Sequence, residues 1–202
     1  MSGRIAVLIS GRGSNLKNLI DACSRNEIPA GITLVISNQA DAPGLQYASA
    51  AGIESIVLSH KAFTTRELYD QELLLVLQSK NIDLICLAGF MRLLSPVLIR
   101  AYSNRIMNIH PALLPAFPGL HAQKQAIEYG AKITGCSVHF VDEGLDSGPI
   151  ILQKAIEIRD IDTEESLSAR LLALEHQAYA EAVRLFFEGR LQVEGRHVRI
   201  HH

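Results

Sequence analysis

The feature that most constrains the fold is an alternation of apolar strand-like runs with helical segments over the first 110 residues. Five runs are almost continuously apolar, at residues 4–10, 32–37, 55–58, 83–89 and 105–110. Segments with helical periodicity lie between them, at residues 15–23, 44–52, 64–79 and 96–102. Continuous apolar strands separated by helices indicate a parallel sheet that is covered on both faces. We therefore predict an α/β, Rossmann-like fold with helices on both faces of a mostly parallel sheet.

The pattern changes after residue 130. Two strands are predicted at residues 133–141 and 149–158, and the short loop between them indicates an antiparallel pair. A long helix follows and ends near Glu188, with Asp162 and Glu165 as its predicted caps. Thr64 and Glu67 form a similar predicted capping box for the helix at 64–79. The last residues, bracketed by Gly189 and Gly195, are expected to form a short polar tail.

Composition limits the possible partners. The 202 residues are 48% hydrophobic, which suffices for one well-cored domain. The net charge of −2 offers no basic field for nucleic acid. The three cysteines are far apart, so they predict neither a disulfide framework nor a metal motif, and they fit a reducing compartment. Because no signal peptide or apolar run of membrane-spanning length is recognisable, we expect a cytoplasmic protein without a membrane segment.

A glycine-rich loop, SGRGSN at residues 10–15, joins the first strand to the first helix. Bare backbone N–H groups and the helix dipole at such a junction favour an anion such as phosphate. The third glycine of a dinucleotide fingerprint is replaced by Leu16, and the lysine of a P-loop is absent. The alternative is a tight turn in which Ser14 or Asn15 caps the helix.

The fifth strand ends on two polar residues, Asn108 and His110. Residues two apart on a strand face the same side, at the strand end where open α/β sheets bind ligands. Two convergent donors there suit an oxyanion that develops on a carbonyl carbon. Three prolines, Pro111, Pro115 and Pro118, restrict the loop that follows. The alternative is a histidine that is hydrogen-bonded at a strand end, with prolines that only shape a turn.

An acidic loop at residues 141–149 contains Asp142, Glu143 and Asp146. A carboxylate close to His110 would favour the imidazolium form and orient the ring. The residues alone leave open which of the three carboxylates faces inward, and a solvated hairpin turn is the alternative. No metal site is predicted, since His197 and His201 lie in the expected polar tail.

Four motifs together resemble one family. These motifs are SGRGSNL, AGFMRLLSP at 88–96, NIHPALLPAFPGLHA at 108–122 and HFVDEGLDSGPII at 139–151. In their order and spacing, and in total length, the chain looks like a glycinamide ribonucleotide formyltransferase. The Asn-x-His-Pro motif is specific to the wider formyltransferase group, and the length and the SGRGSN loop favour this member. The resemblance covers essentially the whole chain and implies the formyltransferase fold.

The resemblance implies a reaction and catalytic residues. The formyl group of 10-formyltetrahydrofolate, a co-substrate, passes to the amine of glycinamide ribonucleotide in purine synthesis. Asn108 and His110 would stabilise the oxyanion, and His110 would give a proton to the departing folate nitrogen. Asp146 would be the carboxylate that keeps His110 charged.

The resemblance also implies binding residues. The substrate phosphate would be bound by Gly13, Ser14 and Asn15, and its ribose and glycinamide portion by Glu175. The folate site would comprise Arg66, Met91, Arg92, Leu93, Leu94, Asp142, Glu143, Gly144 and Leu145. The family places a cis peptide at the position of Leu114–Pro115, and some relatives carry a lysine at the position of Leu172.

One formyltransferase domain over residues 1–202 is expected, with a phosphate-binding parallel half at 1–110 and a folate-binding and catalytic half at 111–202. The expected partners are the two small-molecule substrates, without metal, nucleic acid or membrane, in a monomer or homodimer. The alternatives are a 10-formyltetrahydrofolate hydrolase and a non-catalytic folate- or phosphate-binding module. The hydrolase fits less well because it normally carries an extra N-terminal domain, whereas the first strand here begins at residue 4.

Overall fold

The computed structural model describes residues 3–201 and divides the chain into two compact units. The first unit ends at Asn108, and the second begins at Ile109, so the boundary falls within the fifth strand. The expectation of a single domain with halves that meet between residues 110 and 111 stays a prediction.

The first unit is built on parallel strands. Its strands are β1 (Gly3–Ile9), β2 (Ala30–Ser37), β3 (Ser55–Val57), β4 (Leu84–Leu87) and β5 (Ile106–His110). Its α-helices are α1 (Ser14–Ser24), α2 (Leu45–Ala50), α3 (Arg66–Ser79) and α4 (Pro96–Ala101). The strand order is β3-β2-β1-β4-β5, and each neighbouring pair is parallel.

The register of this sheet fixes where the loops emerge. Leu8 of β1 pairs with Leu87 of β4, and Leu87 pairs with Asn108 of β5. The glycine loop after β1, the segment after β4 and Asn108 therefore lie at one carboxyl-terminal edge. The apolar residues that predicted these strands are fully buried in β1 and β4, and Leu16 and Leu19 bury one stripe of α1.

The second unit holds the antiparallel strands. Its elements are α5 (Ala122–Tyr129), β6 (Ile133–Phe140), β7 (Ile150–Glu157), α6 (Glu164–Phe187), β8 (Leu191–Glu194) and β9 (His197–Ile200). The strand order is β6-β7-β9-β8, where β6 and β7 are antiparallel, β9 joins β7 in parallel, and β8 and β9 form an antiparallel hairpin. Helix α6 packs against β6 and β7.

The predicted α/β class is confirmed, with its mostly parallel strands and antiparallel C-terminal strands. Two predicted caps are wrong by one residue. Thr65 rather than Thr64 caps α3, by accepting from the N–H of Leu68, and Thr163 forms the capping box of α6 with Ser166. In both cases the residue in extended geometry just before the helix has the side chain that reaches the free N–H groups.

One helix and one hairpin were not predicted from the sequence. Helix α5 begins after His121, which has left-handed backbone geometry and no side-chain cap, so no start signal marks it. The expected polar tail is instead the β8–β9 hairpin, whose half-buried and exposed residues alternate along both strands. Within residues 3–201, no helix is both long and apolar enough to cross a membrane.

Candidate active site

The glycine loop at the start of α1 is closely packed in the first unit. Gly13 has φ of 72°, and a Cβ there would lie 2.7 Å from the Cα of Gly44. The N–H of Gly44 also donates to the carbonyl of Gly11 at 3.0 Å. The turn therefore requires glycine at residue 13 for both conformation and space. Gly13 is the N-cap residue of α1, and it has no side chain that could accept from the first N–H groups of the helix, at Ser14 and Asn15.

The same edge of the first unit carries Asn108 and the segment after β4. Asn108 is partly buried at the end of β5, level with Leu87. The N–H of Ser10 donates to the carbonyl of Gly89 at 3.2 Å, and the N–H of Met91 donates to Ser10 Oγ at 2.9 Å. The beginning of the segment 91–94 is thus tied to Ser10, the first residue of the glycine loop.

In the second unit, His110 lies between two acceptors. Its Nε2 is 2.8 Å from the carbonyl oxygen of Phe117, and its Nδ1 is 3.4 Å from Asp146 Oδ2. Both side chains are buried, with 4% of the His110 side chain and 12% of the Asp146 side chain exposed. The N–H of Gly119 donates to the same Asp146 oxygen at 2.8 Å and helps to hold the carboxylate.

Both groups that flank the His110 ring are hydrogen-bond acceptors. A neutral imidazole has one N–H donor and one bare nitrogen, whereas a carbonyl and a carboxylate can only accept. The Nε2–H therefore donates to Phe117, and a bare Nδ1 would present its lone pair to the Asp146 carboxylate. Protonation of Nδ1 replaces that repulsion by an ion pair.

A second histidine flanks Asp146 on its other oxygen. His139 Nε2 lies 3.7 Å from Asp146 Oδ1, and its Nδ1 donates to the carbonyl of Phe140 at 2.9 Å. Burial lowers the pKa of His139, against the opposing effects of the Phe140 carbonyl and the Asp146 charge. Because burial is the largest of these effects, the neutral form of His139 is favoured despite the Asp146 carboxylate beside its Nε2.

The loop after His110 is held by hydrogen bonds as well as by its prolines. Ser137 Oγ accepts from the N–H of Leu114 at 3.0 Å and donates to the carbonyl of Ala112 at 2.7 Å. Gln153 Nε2 donates to the carbonyl of Leu114 at 2.9 Å. The peptide bond between Leu114 and Pro115 is cis, as the resemblance implied. Ser137 on β6 and Gln153 on β7 were not identified from the sequence, because their contacts are distant along the chain.

The acidic loop brings one of its three carboxylates to His110. Asp146, with φ of 48°, is the one that faces the ring, whereas Glu143 is exposed. Asp142 instead stabilises the turn, since its Oδ1 accepts from the N–H of Gly144 at 3.1 Å and from Ser147 Oγ at 2.6 Å. Leu145, between Gly144 and Asp146 in the sequence, is 52% exposed.

The remaining predicted residues are described unit by unit. In the first unit, Met91 and Leu93 are exposed, Leu94 is buried, and the Arg92 guanidinium lies 5.0 Å from the Tyr69 ring centroid. Arg66 begins α3 and pairs with Glu67 at 3.5 Å.

Glu175 belongs to the second unit and is buried on α6. Burial and the nearby Glu175 charge raise the pKa of Cys136 to about 11, which keeps that thiol protonated. Leu172 is half-buried on the same helix. Among residues 3–201, no group of three or more His, Cys, Asp or Glu side chains could hold a metal ion.

Fold and site together define an α/β protein in which a histidine and a carboxylate are paired beside the end of a strand, and such a pair can transfer protons. The family comparison specifies the class further. Residues 3–183 match the model of the formyl transferase family, and the chain belongs to that family.

Individual relatives carry more specific names. The chain is 47% identical to the phosphoribosylglycinamide formyltransferase of Escherichia coli K12, over 94% of this chain and 89% of that protein. It is 54% identical to the trifunctional purine biosynthetic protein adenosine-3 of Drosophila melanogaster, over 92% of this chain but only 14% of that longer protein. The crystal structure of glycinamide ribonucleotide transformylase 1 from Symbiobacterium toebii superposes with a TM-score of 0.97 at 52% identity, covering 98% of this chain and 94% of the other.

A formyltetrahydrofolate deformylase from Pseudomonas syringae pv. tomato has the same fold at lower identity. Its TM-score is 0.93 at 26% identity, and the match covers all of this chain but 67% of the deformylase. The similarity in sequence is therefore greater to the transferases than to this deformylase.

Proposed function

We propose that the protein transfers the formyl group of 10-formyltetrahydrofolate to the amine of glycinamide ribonucleotide. The observation that carries the proposal is His110 between the Phe117 carbonyl and the Asp146 carboxylate, in a chain of the formyl transferase family. The products are formylglycinamide ribonucleotide and tetrahydrofolate, a step of purine biosynthesis. The high identity to phosphoribosylglycinamide formyltransferases over almost the full chain supports this acceptor.

In the proposed reaction, the uncharged amine attacks the formyl carbon, and negative charge develops on the formyl oxygen. The Asn108 amide and the His110 imidazolium donate to that oxygen and lower the barrier. When the tetrahedral intermediate collapses, the bond from carbon to the folate nitrogen breaks and that nitrogen takes up a proton. The amine of the ribonucleotide loses a proton in the same sequence, so the overall proton count balances.

The two N–H groups of His110 have different parts in this proposal. The Nε2–H is fixed on Phe117 at 2.8 Å, which orients the ring. The Nδ1–H faces Asp146 at 3.4 Å, longer than an ordinary hydrogen bond. It is therefore the N–H that can be redirected to the substrate at the smaller cost, and in this proposal Asp146 is the carboxylate that pairs with the charged ring.

Binding roles are proposed for the other residues. The backbone N–H groups of the glycine loop, at Gly13, Ser14 and Asn15, would bind the 5′-phosphate, since a helix N-terminus favours an anion. Glu175 would bind the ribose and glycinamide portion. The folate would be bound by Arg66, by the segment Met91, Arg92, Leu93 and Leu94, and by Asp142, Glu143, Gly144 and Leu145. We propose that both substrates are small molecules and that the protein is a monomer or homodimer. We also propose that it is cytoplasmic, since the three free cysteines fit a reducing compartment.

The test follows tetrahydrofolate release from 10-formyltetrahydrofolate, with and without glycinamide ribonucleotide. Release that requires the ribonucleotide is the expected result. Release that is equally fast without the ribonucleotide would identify a hydrolase and overturn the proposed acceptor. Folate binding without release in either reaction would leave a non-catalytic module.

A further inference from the structure

Asp70 is a buried carboxylate that the proposed chemistry does not use. It lies on α3 and is 1% exposed. Burial raises the pKa of the Asp70 carboxyl, whereas hydrogen bonds from Ser95 and the charges of Arg92 and Arg66 oppose that rise. A carboxylate is costly to bury without partners. The partners of Asp70 therefore indicate what it does.

The main partner of Asp70 is the backbone of Ser95. The N–H of Ser95 donates to Asp70 Oδ2, and Ser95 is fully buried as the N-cap of α4. Ser95 directly follows the segment 91–94, which is the proposed folate segment. The carboxylate thus fixes the backbone at the point where this segment enters α4.

Tyr69, which precedes Asp70 on α3, holds the Arg92 side chain of the same segment. The Tyr69 ring is fully buried, and Phe63 packs edge-on against it with 5.5 Å between centroids. The Arg92 guanidinium lies 5.0 Å from the Tyr69 centroid, within the range of a cation–π contact. Consecutive residues of one helix therefore hold the Arg92 side chain and the Ser95 backbone.

The other end of the segment has its own tether. The N–H of Met91 donates to Ser10 Oγ, whose hydroxyl donates to Asn38 Oδ1 at 2.6 Å. Between the two tethers the apolar side chains of Met91 and Leu93 remain 68% and 58% exposed. Such a segment presents an apolar surface without the freedom of an unrestrained loop, which reduces the entropy lost when a ligand binds.

We propose that Asp70 is a positioning residue for the segment 91–95, and that its hydrogen bond to Ser95 sets the affinity of the protein for a reduced folate. This inference rests on the proposed function, because that function assigns the segment to the folate. Asp70 acts through Ser95 and does not itself touch the formyl donor.

The test compares Asp70→Ala, which removes the acceptor, with Asp70→Asn, which retains an acceptor oxygen. Glu72→Gln, an exposed carboxylate-to-amide change on the same helix, is the matched control. The first readout is the Kd of 5-formyltetrahydrofolate by titration calorimetry, which needs no turnover. The second readout is the KM of each substrate and kcat in the transfer assay.

We expect Asp70→Ala to raise the folate Kd and the KM of the formyl donor about tenfold, equivalent to about 1.4 kcal/mol. Asp70→Asn should restore both to within about threefold, and Glu72→Gln should leave both unchanged. The KM of the ribonucleotide and kcat per folded molecule should stay within about twofold in all three variants. A purely structural role would lower the folded fraction and leave the folate Kd of the folded molecules unchanged.

Two further outcomes are distinguishable. An unchanged folate Kd in folded Asp70→Ala, or a wild-type protein that binds no folate, would overturn the positioning role. The wild-type protein could also bind folate without transfer activity. If Asp70→Ala then weakens that binding, the result would support the positioning role and refute the proposed function. If Asp70→Ala does not fold, Asp70→Leu fills the same space without an acceptor and answers the same question.

Discussion

Replacement of Asp146 by Asn tests the electrostatic role of this carboxylate. The variant keeps the size of the side chain and an oxygen that can accept from the Gly119 N–H, but it removes the charge 3.4 Å from His110 Nδ1. At that distance and an effective dielectric of about 20, the attraction is roughly 5 kcal/mol. Both groups are buried, so we take about half of this attraction to remain after desolvation. A net loss of about 2.5 kcal/mol corresponds to roughly a 70-fold decrease in kcat.

The assay measures kcat and both KM values by ribonucleotide-dependent release of tetrahydrofolate. Asp160→Asn is the matched control, because Asp160 is an exposed carboxylate that pairs only at the surface with Lys132. We expect the control to retain wild-type kcat, and the KM values of Asp146→Asn to change little. A kcat for Asp146→Asn within about threefold of wild type, or an equal loss in Asp160→Asn, would refute the electrostatic account.

Three other predictions concern the framework of the site. Gly13→Ala should raise the KM of the ribonucleotide and destabilise the fold by about 1–2 kcal/mol, because φ is 72° and the new Cβ would lie 2.7 Å from Gly44. Steady-state kinetics and denaturant unfolding measure the two effects, and an unchanged KM would contradict the role of the loop. Ser137→Ala should lower the free energy of unfolding in urea by about 1–3 kcal/mol, since it leaves the buried N–H of Leu114 without its acceptor, and a change near zero would argue against that tether. The pKa of His139 is lower in the folded than in the unfolded state, so stability should fall as pH drops below about 6.5, where the unfolded chain gains a proton first. In His139→Gln the loss of stability between neutral and acid pH should be smaller. An identical pH dependence of stability in the variant and the wild type would contradict this prediction.

The main elements of the fold could be predicted because their signals are local. Continuous apolar runs identified β1 and β4, whose apolar residues are buried, and turn residues separated them from the helices. The caps were less predictable, since Thr64 and Thr65 are adjacent and chemically equivalent. Only the backbone path decides that the Thr65 side chain accepts from the N–H of Leu68.

Residues of the candidate site could be predicted where they lie close together in the sequence, and could not be predicted where their contacts are distant along the chain. Asn108 and His110 were identified because they end one strand. The Phe117 carbonyl that accepts from His110 is a backbone group, and backbone groups leave no signal in the residue types. Gln153 is distant along the chain from Leu114, whose carbonyl it contacts, so only the folded chain reveals that contact.

The most direct measurement of the central claim follows the formyl carbon itself. With an isotopically labelled formyl group on 10-formyltetrahydrofolate, a single turnover in the presence of glycinamide ribonucleotide can be analysed by carbon NMR. The account predicts that the label appears as a formamide on the ribonucleotide, and that His110→Ala slows its appearance by at least about 100-fold. Label that appears as free formate, or transfer at an undiminished rate in His110→Ala, would contradict the account.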